Sequence, residues 1–242
     1  MEPSNRKEQL MRKSFIALAF AVISALWATA SFAAEGRSKV QPELVSFYQV
    51  PWQCPAAPEI ACGGLAKPVL RELEQNTGIA EAWINRAGTV LAVVGSDRNR
   101  EARTKTVLAL LREIFEKDVA TELQGEARTM ELASFRSNAP WYRGAQVDAL
   151  SIEEADIIAA RLVHRIKAKM ALSEDKARLL TASFADILKA RFIRSSDAPR
   201  TGDQKPRDEQ LRDIARAQLG TAGVSAFDEA IAKGERPAPG EK

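Results

Sequence analysis

Histidine is nearly absent from this chain, since His164 is the only one among 242 residues. A lone histidine leaves no convincing material for a Ser-His-Asp triad or a His-rich metal cage. His164 has Arg161 and Arg165 as helical neighbours, so we expect it at the surface rather than as a ligand or a base. The sequence also lacks a P-loop, a dinucleotide-binding glycine fingerprint and a His-Glu-x-x-His motif. This inventory favours a non-enzymatic protein.

An excess of charge of either sign is also missing. Lysine and arginine number 35 against 32 aspartate and glutamate residues. So close a balance gives no electrostatic footprint for nucleic acid or for an anionic membrane surface. The composition is that of an ordinary globular protein, and the length suffices for one or two small domains with real cores.

The N-terminus has the pattern of an export signal. Arg12 and Lys13 form a positive region, an apolar run extends from Phe15 to Ala30, and Ser31-Phe32-Ala33 ends it with small residues. We therefore interpret residues 1–33 as a signal peptide and expect a periplasmic or secreted protein. The alternative is an uncleaved anchor that holds the protein at the membrane, facing the periplasm, because the apolar run has roughly spanning length.

Residues 40–136 alternate between strand-like and helix-like patterns. The strand-like segments are 45–50, 79–85, 89–94 and 119–135, and the helix-like segments are 67–74 and 100–117. This order, β, α, β, β, α, β, predicts a ferredoxin-like domain with a four-stranded sheet and both helices on one face. The expected fold class is α+β.

The remainder of the chain is predicted to be mainly helical. Residues 150–194 read as an αα-hairpin whose first helix starts at a capping box formed by Ser151 and Glu154. Residues 195–206 form a polar linker. Residues 207–242 are predicted to hold two short amphipathic helices and a tail. We expect these helices to dock on the hairpin or on a protein partner.

The chemistry of the chain is concentrated in Cys54 and Cys62, its two cysteines. Three interpretations stay open. An oxidising compartment favours a structural disulfide that closes a small loop. Two thiolates also suit a soft ion such as Cu(I) or Hg(II), which can be held by two sulfurs in a linear site. A reversible redox couple is the third possibility, although the spacing is not the C-x-x-C usual for such motifs.

A family resemblance lies within residues 54–94. The stretch Cys62-Gly-Gly-Leu-Ala-Lys-Pro-Val-Leu-Arg-Glu-Leu-Glu-Gln-Asn-Thr-Gly-Ile-Ala-Glu-Ala-Trp-Ile-Asn-Arg resembles the heavy-metal-associated domain, in which a cysteine loop leads into a helix, a turn and a strand. The resemblance implies a ferredoxin-like fold and makes Cys54 and Cys62 the metal-binding pair. The chain departs from the family motif because seven residues separate the cysteines and no Met-Thr dipeptide precedes Cys54.

We therefore expect an exported, non-enzymatic binding or accessory protein that handles a soft metal ion through its cysteine pair. The alternative is a disulfide-stabilised periplasmic scaffold, or an interaction subunit of a larger envelope complex. The residues imply no nucleic acid partner, and the membrane is a partner only if the N-terminal segment stays uncleaved.

Cleavage of the leader is directly testable. We predict that protein isolated from the native envelope begins just after Ala30 or Ala33 and is released without detergent, because the small residues there suit a signal peptidase. N-terminal sequencing checks this expectation. Recovery of uncleaved protein only in detergent would instead support the anchored alternative.

Overall fold

The structure is a computed structural model that describes residues 36–195 and 206–241. The predicted signal peptide and most of the predicted 195–206 linker lie outside these residues. Within the described ranges, no helix combines the length and the hydropathy needed to cross a membrane.

The described part of the chain contains five strands and six main helices. In order they are β1 (Val45–Gln49), α1 (Gly63–Glu74), β2 (Ile79–Asn85), β3 (Val90–Gly95), α2 (Arg100–Phe115), β4 (Thr121–Glu122), α3 (Gly125–Arg136), β5 (Trp141–Tyr142), α4 (Asp148–Lys167), α5 (Glu174–Ser195) and α6 (Arg207–Ala232). The strands form one sheet of order β4-β1-β3-β2-β5, in which every pairing is antiparallel. The predicted α+β class is confirmed.

Both faces of the sheet are covered by helices. Tyr48, Leu91 and Val93 face the cluster that contains the apolar residues of α1 and α2. Phe47 and Ala92, which alternate with them, face a second and smaller cluster. All six residues of β3 are buried, as a central strand between two apolar layers requires.

The second cluster corrects the prediction for residues 119–135. Only Thr121–Glu122 pairs as a strand, and Gly125–Arg136 is helix α3 rather than extended chain. Phe135 on α3 packs edge-on against Phe47, Trp83 and Trp141, with ring centroids 6.0, 5.9 and 5.2 Å away. The segment contains several strong helix formers, which the extended prediction underweighted. Trp141, in the segment between α3 and α4, is buried in the same cluster.

Two helix starts also differ from their predictions. Helix α1 begins at Gly63 and contains Pro68, so Pro68 does not mark the first turn and Cys62 becomes the N-cap residue. Helix α4 begins at Asp148, which places Ser151 and Glu154 inside the helix and removes the predicted capping box. Ser151 is instead buried where α4 meets α1: a Cβ on Gly63 would lie 2.2 Å from its hydroxyl oxygen. The close approach of the two helices thus requires glycine at position 63.

Helices α4 and α5 pack as the predicted antiparallel hairpin. Lys167 pairs with Glu174 near the connection, and Lys189 pairs with Asp156 farther away, so the two helices run in opposite directions. Helix α6 packs on both of them and is kinked at Gly220, where φ is 70°. One hydrophobic cluster continues from the sheet through α1 into α4, α5 and α6. Independent folding of the predicted segments stays a prediction.

A buried ion pair connects the sheet region to the helical region. Lys67 on α1 has a side chain only 1% exposed, and its Nζ lies 2.9 Å from a carboxylate oxygen of Asp148, which is 25% exposed. Removing one partner of such a pair leaves a charge in a poorly solvated position.

We predict that Asp148→Asn lowers the free energy of unfolding by on the order of 3 kcal/mol, because the Lys67 ammonium loses its counter-charge. Urea denaturation measures the effect. The matched control is Asp156→Asn on the same helix, whose carboxylate is 51% exposed and whose loss should cost about 0–1 kcal/mol. Equal effects of the two substitutions would show that the Lys67 pair does not hold the regions together.

Candidate thiol site

Both cysteines lie in the connection from β1 to α1, which folds into a short antiparallel hairpin. Gln53 bridges to Ala61, the amide of Cys54 donates to Ile60 O at 2.8 Å, and the amide of Cys62 donates to Trp52 O at 2.8 Å. The hairpin is tied to the end of β2 and β3, because the amide of Trp52 donates to Gly88 O at 2.9 Å. Gly88 has a φ of 70°, and a Cβ there would lie 2.6 Å from Trp52 O, so this turn requires glycine.

The hairpin register puts the two thiols on the same face. Since Gln53 opposes Ala61, Cys54 opposes Ile60, and Cys62 is its diagonal neighbour on the facing strand. Diagonal neighbours on one face have Cα atoms roughly 7–8 Å apart. Disulfides usually require a Cα separation of about 4.4–6.8 Å. No disulfide joins the two cysteines in the structure, and both thiols are free.

Cys62 is also the N-cap residue of α1. Burial is the largest influence on this thiol and raises its pKa, and the negative charge of Glu154 raises it further. The main-chain amides of Leu65 and Gly64 act in the opposite direction, because helix N-terminal N–H groups favour a thiolate. Burial and the charge of Glu154 outweigh the main-chain amides, so the pKa of Cys62 is raised overall.

Cys54 is more strongly perturbed. Its residue is only 1% exposed, and burial followed by a hydrogen bond to the Glu154 carboxylate raises the pKa of the thiol to about 12. Burial also raises the pKa of Glu154, against the opposing effect of the Cys54 hydrogen bond. Both thiols are therefore protonated at neutral pH, and Glu154 is the acceptor nearest to the proton of Cys54.

The Cys54 side of the site opens into a cleft of about 470 Å³. The loop residues Cys54 to Ala56 and Glu154 form one side, and the other residues that line it are Arg207, Lys233, Gly234, Glu235 and Arg236. Arg161, buried on α4, donates from Nη1 to Ala56 O at 2.6 Å and to Glu235 O at 2.7 Å. One guanidinium thus fixes the cysteine loop relative to the C-terminal segment.

The structure places both predicted site residues in one hairpin and adds two residues that the sequence does not indicate, Glu154 beside the thiols and Arg161 on the loop. The sequence pattern predicts that Glu154 belongs to a capping box, and it identifies Arg161 only as a helical neighbour of His164. Their spacing of seven residues puts both on one face of a helix, which is the available sequence signal. His164 is exposed, so its predicted surface position is confirmed.

The donor set of this site is small. Among residues 36–195 and 206–241, no group of three or more His, Cys, Asp and Glu side chains is arranged to hold a metal ion. A site built on Cys54 and Cys62 would therefore offer two sulfurs, which suits an ion that accepts linear two-sulfur coordination and not one that requires four ligands. Comparison with protein-family models, curated proteins and solved structures found no match to this chain.

Glu154 allows a test of the electrostatics of the site. We predict that Glu154→Gln lowers the pKa of both thiols, because a nearby negative charge that opposes thiolate formation is removed. Alkylation of reduced protein, followed across a range of pH, should then be faster at a given pH and shifted toward lower pH.

The neighbouring carboxylate provides the matched control for this measurement. Glu153 pairs with Arg86 and contributes to neither thiol, so Glu153→Gln should leave the alkylation profile unchanged. An unchanged profile in Glu154→Gln would remove Glu154 from the site.

Proposed function

We propose that this protein is a non-enzymatic, exported accessory protein that takes up one soft metal ion, such as Cu(I) or Hg(II), between Cys54 and Cys62. The observation that carries the proposal is the hairpin register, which places two free thiols as diagonal neighbours on one face. An ion bound by two sulfurs separates them further than the 2.03–2.05 Å of a direct S–S bond. A diagonal pair is therefore better suited to bridging by an ion than to direct bonding.

The position of the pair in the fold gives further support. We propose that residues 40–136 form a variant of the ferredoxin-like fold, in which α3 and β5 are additions. Four strands in the antiparallel order β4-β1-β3-β2, with the apolar faces of α1 and α2 in the same cluster, favour this assignment. In the heavy-metal-associated family that the sequence resembles, the cysteine loop also leads into a helix. Cys62 at the N-cap of α1 has the corresponding place.

Proton release accompanies the proposed binding. Both thiols start protonated, and soft metals bind thiolates, so uptake through both sulfurs displaces two protons. The apparent affinity should therefore rise with pH up to the pKa values of the thiols, and Glu154 is positioned to receive the proton of Cys54.

The disulfide-stabilised scaffold or interaction subunit is the competing function. The buried residues of α6, Leu211 and Phe227 among them, belong to the cluster shared with α4 and α5. A protein partner of these helices would therefore have to bind through other residues. Nothing in the thiol geometry favours this alternative, and it serves as the opposite outcome of the following test.

We predict that fully reduced protein binds one equivalent of Cu(I) in competition with a chromophoric Cu(I) chelator. Cys54→Ser and Cys62→Ser should each abolish tight binding, because one sulfur cannot compete with a two-sulfur site. Circular dichroism of each variant should retain the wild-type helical signal. Thiol-blocked protein provides the baseline.

The opposite outcome is equally specific. Metal uptake would be rejected by two results together. Protein isolated without reductant would contain no free thiol, and the reduced protein would bind Cu(I) no better than the thiol-blocked baseline. A lower unfolding midpoint on reduction would then support a structural disulfide.

A further inference from the structure

The C-terminal segment 233–241 lies along the Cys54 side of the thiol site. It follows α6 and contains no regular helix or strand. Its residues Lys233 to Arg236 line the same cleft as Cys54 and Glu154. Cys54 is nevertheless only 1% exposed, so access from this cleft is closed in the described arrangement.

The segment is held by charged side chains rather than by apolar burial. Arg165 on α4 makes a bidentate pair with Glu241, from Nε to Oε1 at 2.8 Å and from Nη2 to Oε2 at 2.7 Å. The same guanidinium donates to Arg236 O at 2.9 Å. Arg207 pairs with the carboxylate of Glu235, whose main-chain oxygen accepts from Arg161.

These attachments join the segment directly to the cysteine loop. Arg161 donates to Glu235 O and to Ala56 O, two residues after Cys54. At the far end, Glu241 is the only side-chain acceptor of Arg165 among residues 36–195 and 206–241. A bidentate arginine–carboxylate pair is among the stronger polar contacts, and this one is mostly buried, with side chains 3% and 14% exposed. Release of Glu241 would leave the segment attached through the main-chain bonds from Arg161 and Arg165 and through the Arg207–Glu235 pair.

We propose that residues 233–241 form a strap that controls access to Cys54, with the Arg165–Glu241 pair as its latch. The strap would admit an ion or its carrier when the latch opens and protect the thiol when it is closed. This gating role rests on the proposed function, whereas the strap itself can be tested without metal.

The test measures alkylation of Cys54 alone, in full-length Cys62→Ser protein. Glu241→Gln removes the charge of the latch, and Glu241→Arg places a like charge against Arg165. We expect alkylation of Cys54 to become about tenfold faster with Gln, as loss of one charge-assisted contact implies, and faster again with Arg.

Two controls separate strap opening from general loosening. Glu229 on α6 forms an exposed pair with Lys169. Glu229→Gln breaks this pair and should leave the alkylation rate of Cys54 at its wild-type value. In the reciprocal Cys54→Ser background, Glu241→Gln should leave the alkylation rate of Cys62 unchanged, because Cys62 does not line the cleft. An unchanged Cys54 rate, or equal acceleration of both cysteines, would overturn the strap.

Metal uptake provides a separate readout. If wild-type protein binds Cu(I) as proposed, Glu241→Gln should speed uptake by a similar factor. If wild-type protein binds no Cu(I) but Cys54 is alkylated faster in Glu241→Gln, the proposed function is rejected and the strap is retained.

Discussion

Buried guanidinium groups join irregular parts of this chain that lie far apart in sequence. Arg161 donates to the main-chain oxygens of Ala56 and Glu235, and Arg37 donates to those of Ser137 and Ala139. A charge out of water needs such partners, and arginine offers five donors in a fixed fork. The bonds of Arg161 connect the buried cysteine loop to the C-terminal segment, which has no buried residue among those described after Ala230.

Regular segments were predictable because their periodicity reflects burial. The alternation in 79–94 gave the β2–β3 hairpin, and the apolar stripes of 150–194 gave α4 and α5. Helix α3 was missed because its weakly amphipathic sequence buries only Phe135. The aromatic rings that receive Phe135 come from strands 50 to 90 residues earlier in the chain and from Trp141. No local pattern indicates that contact.

The site was predictable only in part, for a similar reason. The two cysteines can be picked out from the sequence, because they are the only thiols in the chain. Glu154 cannot be picked out in this way, because its role depends on where α4 begins. The Ser-x-x-Glu pattern is typical of a helix N-terminus. Here tertiary packing extends the helix back to Asp148 and directs Glu154 to Cys54 instead.

The carboxylate beside the thiols bears on which chemistry the site can perform. Thiol–disulfide exchange proceeds through the thiolate, and Glu154 and burial together oppose thiolate formation at Cys54. The same protonation penalty would apply to any metal ion taken up at the proposed site, so only an ion with high thiolate affinity would displace both protons. A borderline ion such as Zn²⁺ would have to overcome the same protonation penalty while bound by only two of its usual four ligands. Raised thiol pKa values would thus favour soft ions at the proposed two-sulfur site and would slow oxidation of the thiols.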